Sequence, residues 1–223
     1  MIIPAFNEEL SIEKVLSEIP ADLVTEAVVV NNASSDDTAA AARRAGATVL
    51  DEPRRGYGAA CLKGISYCEQ ADPYPEIIVF LDGDFSDFPA EMRMLVQPII
   101  DGNTDLVIGA RARVKRQSGS MTFQQIFGNW LATNLLKIFF QTNFTDLGPF
   151  RAIRFKSLLD LNMKDHSYGW TIEMQVKAAK QKIRFMEIPV SYRKRIGVSK
   201  VSGTFKGTVL AGYKILYTIF RYI

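Results

Sequence analysis

Short apolar runs recur along the first half of the chain, at residues 1–3, 26–30, 48–50, 77–81 and 105–109. Each is stopped by polar residues, proline or glycine, as the ends of buried strands are. The first reads as the end of a strand whose beginning lies outside the sequence. Between the runs, apolar residues fall at helical spacing. Leu10, Ile12, Val15, Leu16 and Ile19 share one side of a segment closed by Pro20. Ser34-Ser35-Asp36-Asp37 supplies an N-cap and first-turn acids for an alanine-rich helix through Arg44, ended by Gly46. Pro53-Arg54-Arg55-Gly56-Tyr57-Gly58 forms a loop opening a helix over 59–69, and Pro89 opens another to about 101. Strand and helix thus alternate through five strands with short connections. This predicts a three-layer α/β/α sandwich, Rossmann-like, with a mainly parallel central sheet.

The second half changes character. Residues 122–140 are aromatic and helical, with Phe123, Ile126, Phe127, Trp130, Leu131, Leu135 and Phe139 near helical spacing, and such a helix is expected to face the core. Residues 146–154 read as a loop entering a strand, 168–180 as a helix, 183–190 and 191–194 as a strand or hairpin edge, and 193–200 as a basic loop containing Gly197. Residues 205–223 form a basic, aromatic C-terminal helical extension, charged only at Lys206, Lys214 and Arg221. Two readings of it stand: an amphipathic helix at a membrane interface, or a helix that closes the core. No apolar stretch reaches the 18 or more residues of a clean membrane span, and Glu8 and Glu9 arrive too early for a secretory signal.

Composition sharpens this picture through its asymmetry. The 223 residues carry a net charge of +3. Residues 1–110 hold 7 Lys/Arg against 19 Asp/Glu, a net −12, and residues 111–223 hold 20 against 5, a net +15. An acidic half can hold a cation, and a basic half can face phosphates or an anionic membrane. Cys61 and Cys68 lie on one helix face, too far apart for a disulfide. The single histidine, His166, has no partner for a histidine-based metal site or hydrolase and reads as surface or loop.

The candidate chemistry centres on Asp82-Gly83-Asp84, where the fourth strand frays. Alternation puts both carboxylates on one side. Two acids that close repel unless a cation lies between them, and Mg²⁺ or Mn²⁺ favours carboxylates plus phosphate oxygens. Polar residues also end the first, second and third strands, at 4–8, 31–32 and 55–58, which is the pattern of a nucleotide site at the carboxyl edge of an open sheet. Glu8 could accept from a ribose hydroxyl or a base, and Asn31 or Asn32 could read a base edge. Gly56 and Gly58 would let backbone approach a ligand at a helix N-terminus. A nicotinamide site at Gly56-Tyr57-Gly58-Ala59-Ala60 is weak, because Cys61 stands where a third glycine belongs and the turn follows the third strand. No nucleic-acid reading motif is present.

Ile3-Pro4-Ala5-Phe6-Asn7-Glu8-Glu9, Val30-Asn31-Asn32-Ala33-Ser34-Ser35-Asp36-Asp37-Thr38, Arg55-Gly56-Tyr57-Gly58-Ala59-Ala60 and Asp82-Gly83-Asp84, in this order, resemble family 2 glycosyltransferases of the GT-A fold. Gly109-Ala110-Arg111, Gly128-Asn129, Asp146-Leu147-Gly148-Pro149-Phe150-Arg151-Ala152, Gly169-Trp170-Thr171-Ile172-Glu173-Met174 and Arg195-Ile196-Gly197-Val198-Ser199-Lys200 resemble the dolichol- and polyprenyl-phosphate sugar transferases in particular. The resemblance implies a catalytic domain over 1–200, with a nucleotide-sugar half at 1–110 and an acceptor half at 111–200, followed by the helix at 201–223. It implies an inverting transfer of a hexose from a nucleoside-diphosphate sugar, of the UDP-glucose or GDP-mannose class, to a polyprenyl phosphate, at the inner face of a membrane. It gives Asp84 as the direct metal ligand and Asp82 as the one nearer the ribose. Pro4, Phe6, Glu8 and Asn32 would frame the base, while Arg111, Arg195 and Lys200 would hold donor or acceptor phosphates. A hydroxyl acceptor, the alternative, would need a base, with Glu173 or Asp146 as candidates. A non-catalytic nucleotide-binding relic is the other alternative. The chain departs from the pattern at Asn31 and Asn32, where an acid is usual, and at Gln124 and Gln125, where relatives often carry arginine.

Overall fold

The computed structural model describes residues 1–111, 115–197, 199 and 205–223. Seven strands form one sheet in the order β3-β2-β1-β4-β6-β5-β7, with β1 Ile2–Ala5, β2 Val28–Asn31, β3 Thr48–Asp51, β4 Ile77–Phe80, β5 Leu106–Ala110, β6 Arg151–Arg154 and β7 Phe185–Pro189. The sheet is mainly parallel, as the alternating pattern predicts. The exception is β6, which runs antiparallel to both β4 and β5. It is entered from β5 through α5 (Phe123–Phe140) and reverses the strand direction between β4 and β5.

β1 is buried at every position and pairs Ile2 with Val28 and Pro4 with Val30. A strand covered on both faces can be continuously apolar, and successive residues feed opposite cores. Ile2, Val28, Ile78 and Leu106 pack against one helical layer, and Ile3, Val29, Val79 and Val107 against the other. The first layer is α3 Tyr57–Cys68, α5 Phe123–Phe140, α6 Phe155–Leu161, α7 Trp170–Lys180 and α8 Phe205–Arg221; the second is α1 Ile12–Ser17, α2 Thr38–Arg44 and α4 Met92–Ile100. Cys61 and Cys68 are free and buried in the first core.

Three details differ from the sequence reading. Pro89 starts a single 3₁₀ turn, Pro89–Glu91, and the α-helix begins only at Met92. The short α6, which follows β6 directly and ends at Asn162 in the left-handed region, has no counterpart in the predicted elements. The aromatic helix α5 buries only Ala132, Thr133 and Leu136, leaving Phe123, Phe127 and Trp130 exposed. No helix among the described residues is long and apolar enough to cross a membrane.

The carboxyl edge of the sheet carries backbone strain. Asn7, Ala33 and Phe85, in the loops leaving β1, β2 and β4, all have positive φ although none is glycine. Asparagine tolerates this conformation, whereas alanine and phenylalanine adopt it at a cost. Such strain persists only where surrounding contacts fix it, and it gathers at functional sites.

Candidate active site

The loop leaving β4 brings acids into the interior. Asp84 is 2% exposed. Its Oδ1 accepts from the Ser86 N–H at 2.8 Å and its Oδ2 pairs with the Arg195 guanidinium. The same arginine nitrogen lies 3.6 Å from Glu8 Oε1, which joins the β1 loop to the β4 loop. Glu8 is held in turn by the Ser11 hydroxyl, which donates to Oε2 at 3.0 Å, while the Glu8 N–H donates to Thr38 Oγ1 at 2.8 Å.

Asp82 Oδ1 is buried without a hydrogen bond, as are both carboxyl oxygens of Asp87. Burial, and then the charge of Asp84, push the Asp82 carboxyl up to about 7. Burial, with Asp82 and Asp84 adding to it, pushes Asp87 well above the usual carboxylate range. Three carboxyls therefore crowd one strand end, and this region demands more positive charge than Arg195 supplies. The donors are all carboxylate oxygens, which suit Mg²⁺ or Mn²⁺ and not a thiolate- or imidazole-seeking metal. Among the described residues no group of three or more His, Cys, Asp or Glu is arranged to hold an ion. A cation here would take one or two carboxylates and complete its shell with water and ligand phosphates, as Mg²⁺ ordinarily does.

Arg193 braces this loop. Its guanidinium lies 3.3 Å from the Phe85 ring centroid and 4.2 Å from that of Phe88, pairs with Glu18 at 2.7 Å, and donates to the Phe85 and Asp87 carbonyls. The basic run at 193–195 is thus divided. Arg193 fixes the strained Phe85 backbone, and Arg195 reaches Asp84. Lys200 lies outside the described residues.

Arg111, at the end of β5, makes a bidentate pair with Asp146: Nε to Oδ2 at 2.9 Å and Nη2 to Oδ1 at 2.5 Å, with the Arg111 N–H donating to Oδ2 at 2.6 Å. Burial opposes the charge on both. The pairing outweighs it, holding Asp146 below the usual carboxylate range and Arg111 above its own. Asp146 stays in place because Gln175 donates to its carbonyl at 2.9 Å and the buried Arg151 donates to Gly148 O. Arg111, expected to hold a donor or acceptor phosphate, turns its guanidinium fork to Asp146. Its charge still reaches the acid cluster, where it lowers both Asp82 and Asp87.

The residues expected around a base divide similarly. Pro4 is buried within β1, and Phe6 is half-buried with the Arg55 guanidinium 5.0 Å from its ring centroid. Asn32 donates to the Glu52 and Arg54 carbonyls and accepts from the Gly56 N–H at 2.7 Å. Its amide, expected to read a base edge, holds the loop 52–56. Gly56 and Gly58 are needed for close approach, but to protein: a Cβ on either would meet the His166 or Asp165 carbonyl oxygen at 2.0 Å. The N–H groups of Gly58 and Ala59 donate to Ser167 and His166 carbonyls, so the α3 N-terminus is occupied by chain and not by an anion. Gly58→Ala is expected to destabilise the fold by about 1–3 kcal/mol, an overpacking cost against rigid backbone. Urea denaturation would show it, and an unmoved midpoint would contradict the packing described.

Glu173 is 2% exposed and saturated. It accepts from the Lys164 and Asp165 N–H groups and the Tyr222 hydroxyl, and pairs with Lys177 at 2.8 Å. Glu173, expected as a candidate base, anchors the turn 164–165 and the end of α8. Two residues at the site carry no role in the sequence reading: Asp87 and Tyr57, whose hydroxyl lies beside Asp82. Asp87 had a signal, a third acid three residues beyond Asp84.

Two further features adjoin the cluster. A cleft of about 410 Å³ is lined by Arg111, Arg116, Met121, Ile126, Asn129 and Pro189 among others, between the ends of β5 and β7 and helix α5. Beyond it, α5 and α8 pack together and expose aromatics, with Phe123, Phe127 and Trp130 in a row and Phe139 against Phe220.

The profile of the family described as Glycosyl transferase family 2 matches residues 1–161. An uncharacterized glycosyltransferase of Mycobacterium tuberculosis (strain ATCC 25618 / H37Rv) is 36% identical over 212 residues, covering 95% of this chain and 93% of that protein. The dolichyl-phosphate hexose transferase of Haloferax volcanii is 27% identical over 221 residues, covering 97% and 91%. Among solved structures, glucosyl-3-phosphoglycerate synthase from Mycobacterium tuberculosis, in complex with Mn²⁺, UDP-glucose and phosphoglyceric acid, superposes with a TM-score of 0.77 at 20% identity. That alignment covers 99% of this chain and 78% of that one.

Proposed function

The chain belongs to glycosyl transferase family 2 and is a glycosyltransferase, and from that premise we propose that it moves a hexose from a nucleoside-diphosphate sugar to a polyprenyl phosphate at the inner, cytoplasmic face of a membrane, with inversion and with Mg²⁺ or Mn²⁺. The observation that carries the donor half is the convergence of Asp82, Asp84, Glu8 and Arg195 at the carboxyl edge of β1 and β4. Asp84 and Asp82 would hold the metal, which when bound supplies positive charge to the diphosphate. Arg195, beside Asp84, is placed to meet the negative charge that builds on the departing diphosphate. Phe6 and Glu8 would frame the nucleoside. The M. tuberculosis synthase, of the same fold, is seen with Mn²⁺ and UDP-glucose, which supports this reading of the edge.

The acceptor half rests on the cleft beside Arg111. Arg116 offers a cation at its wall, and Met121, Ile126 and Pro189 offer apolar surface, a combination suited to a phosphate on a prenyl tail. A phosphate oxygen of the acceptor bonds to the anomeric carbon as the bond to the nucleoside diphosphate breaks, and the electron pair leaves with the diphosphate. An ionised phosphate needs no base for this. That suits a site in which Asp146 and Glu173 are both engaged elsewhere. The dolichyl-phosphate name of the H. volcanii relative favours a lipid acceptor, whereas the synthase is seen with phosphoglyceric acid, so a soluble phosphorylated acceptor is the second reading.

The test is turnover with UDP-glucose or GDP-mannose and Mn²⁺, offering a polyprenyl phosphate or phosphoglyceric acid. A lipid-linked hexose of inverted configuration is expected. Transfer to the soluble acceptor alone would sink the lipid assignment.

The exposed aromatic row on α5 and α8 is suited to a membrane interface. Binding to vesicles containing anionic lipid is expected to weaken with salt, and Phe127→Asp with Trp130→Asp should reduce it by about tenfold or more. Equal binding by the variant in a sedimentation assay would remove this face from the account.

A further inference from the structure

A second concavity lies on the other flank of the loop 52–58 and shares no residue with the acid cluster or the acceptor cleft. It has a volume of about 230 Å³ and is lined by Arg54, Arg55, Lys164, His166, Lys214 and Arg221, together with Asp165 and Glu173. Both carboxylates are already neutralised. Asp165 pairs with Lys214 at 2.9 Å and accepts from the Ser167 and Gly169 N–H groups. Glu173 pairs with Lys177 and takes the bonds described above. Among the described residues no carboxylate pairs with Arg54, Arg55, Lys164 or Arg221. Arg55 lies against the Phe6 ring and Arg221 against the Tyr222 ring, 5.9 Å from its centroid.

Three elements distant in sequence therefore line one hollow with cations: the loop before α3, the turn before α7 and the C-terminal half of α8. Arg54, Arg55, Lys164 and Arg221 are like charges in excess of the acids here, and an anion between them removes the cost of their repulsion. Guanidinium forks match phosphate oxygens bidentately, and a lysine adds a point charge. The hollow is smaller than the roughly 300–1,000 Å³ of pockets that enclose drug-sized ligands, which suits a headgroup and not a whole nucleotide sugar.

We infer that this pocket is an anion site for a phosphate monoester, separate from the donor and acceptor sites. The chemistry is shared by two sources, the headgroup of an anionic lipid reached through the exposed α8 face and a soluble phosphorylated molecule. The inference does not rest on the transferase reading, and it can fail while that reading stands.

His166 provides the test, because it is the only histidine in the chain and it lines the pocket. Its ring proton resonances are followed in the full-length protein while inorganic phosphate is added at constant ionic strength. The expected result is a saturable shift. Arg54→Gln with Lys164→Gln, both exposed residues outside the transfer machinery, should weaken the apparent affinity by about tenfold or more, with the far-UV spectrum checking that the variant is folded. Arg221→Gln serves as the independent variant. Phosphatidylcholine vesicles with and without phosphatidic acid separate the sources. Broadening that depends on phosphatidic acid and is reversed by excess phosphate assigns a lipid headgroup; a response to phosphate alone assigns a soluble ligand. No shift with phosphate, or the same shift in both variants, would overturn the inference.

Discussion

Asp84→Ala is expected to abolish metal-dependent binding of the nucleoside diphosphate and to reduce transfer by about a thousandfold or more. Asp84 is the acid around which the carboxyl edge is assembled. It is buried, oriented by the Ser86 N–H, and paired with the Arg195 guanidinium. Removing it takes away one of the two carboxylates proposed to hold the divalent ion. The fold should tolerate the change, because Arg195 keeps Glu8 within reach and the Phe85 turn is held independently by Arg193. Asp84→Asn keeps the shape and removes the charge, so it should lose metal binding equally. Calorimetry with UDP and GDP, with and without Mn²⁺, is the check. Metal-dependent affinity that survives in either variant would remove Asp84 from the metal site.

The largest expected effect on stability is at Arg111. Breaking a buried ion pair on one side leaves an uncompensated charge and costs about 3–5 kcal/mol, and Arg111→Ala would leave the Asp146 carboxylate in that position. Replacing both partners, Arg111→Met with Asp146→Leu, should cost far less, since neither charge is then stranded. The pH dependence gives a second signature. Burial alone would raise the Asp146 carboxyl, but the Arg111 charge and hydrogen bonds hold it below the usual range. A depressed folded-state value means that the pair stabilises the fold above the unfolded value near 4 and that this contribution is lost as pH falls through the folded value. In Arg111→Ala the stranded carboxylate is relieved by protonation, so the deficit relative to the parent should shrink toward acid. Urea denaturation at pH 7 and at about pH 4 measures both; a deficit independent of pH would contradict the pairing.

The first five strands and the helices between them were legible because each strand is a continuous apolar run and each helix has an amphipathic period. What sequence patterning does not carry is direction and partner. β6 looks like any strand, and its antiparallel placement between β4 and β5 is set by tertiary contacts. Helix α6 follows β6 directly, with no proline, glycine or capping residue between them to mark its start, though Phe155, Leu158 and Leu161 are its buried side. In α5 an apolar row reads as core whether it meets protein or not, so the exposure of Phe123, Phe127 and Trp130 became visible only with the neighbouring helices in place.

The candidate site divides along the same line. Asp82, Asp84, Glu8 and Arg195 were singled out from chemistry and resemblance, and the fold brings them together. Asn32, Gly56, Gly58, Arg111 and Glu173 were singled out as well, but each has a protein partner that no local pattern reveals: the loop at 52–56, the turn at 165–167, Asp146 and the end of α8. A polar residue at a strand end can bind ligand or brace the loop that does, and only geometry separates the two.

The central claim is that the Asp82/Asp84 edge binds a nucleoside diphosphate through a divalent cation. The most direct measurement is calorimetric titration of the protein with UDP, UDP-glucose, GDP and GDP-mannose, each with and without Mn²⁺. Saturable binding of one nucleotide class that appears only with the metal is the result expected, and it would also name the base. Binding of no nucleotide, or binding indifferent to the metal, would contradict the claim.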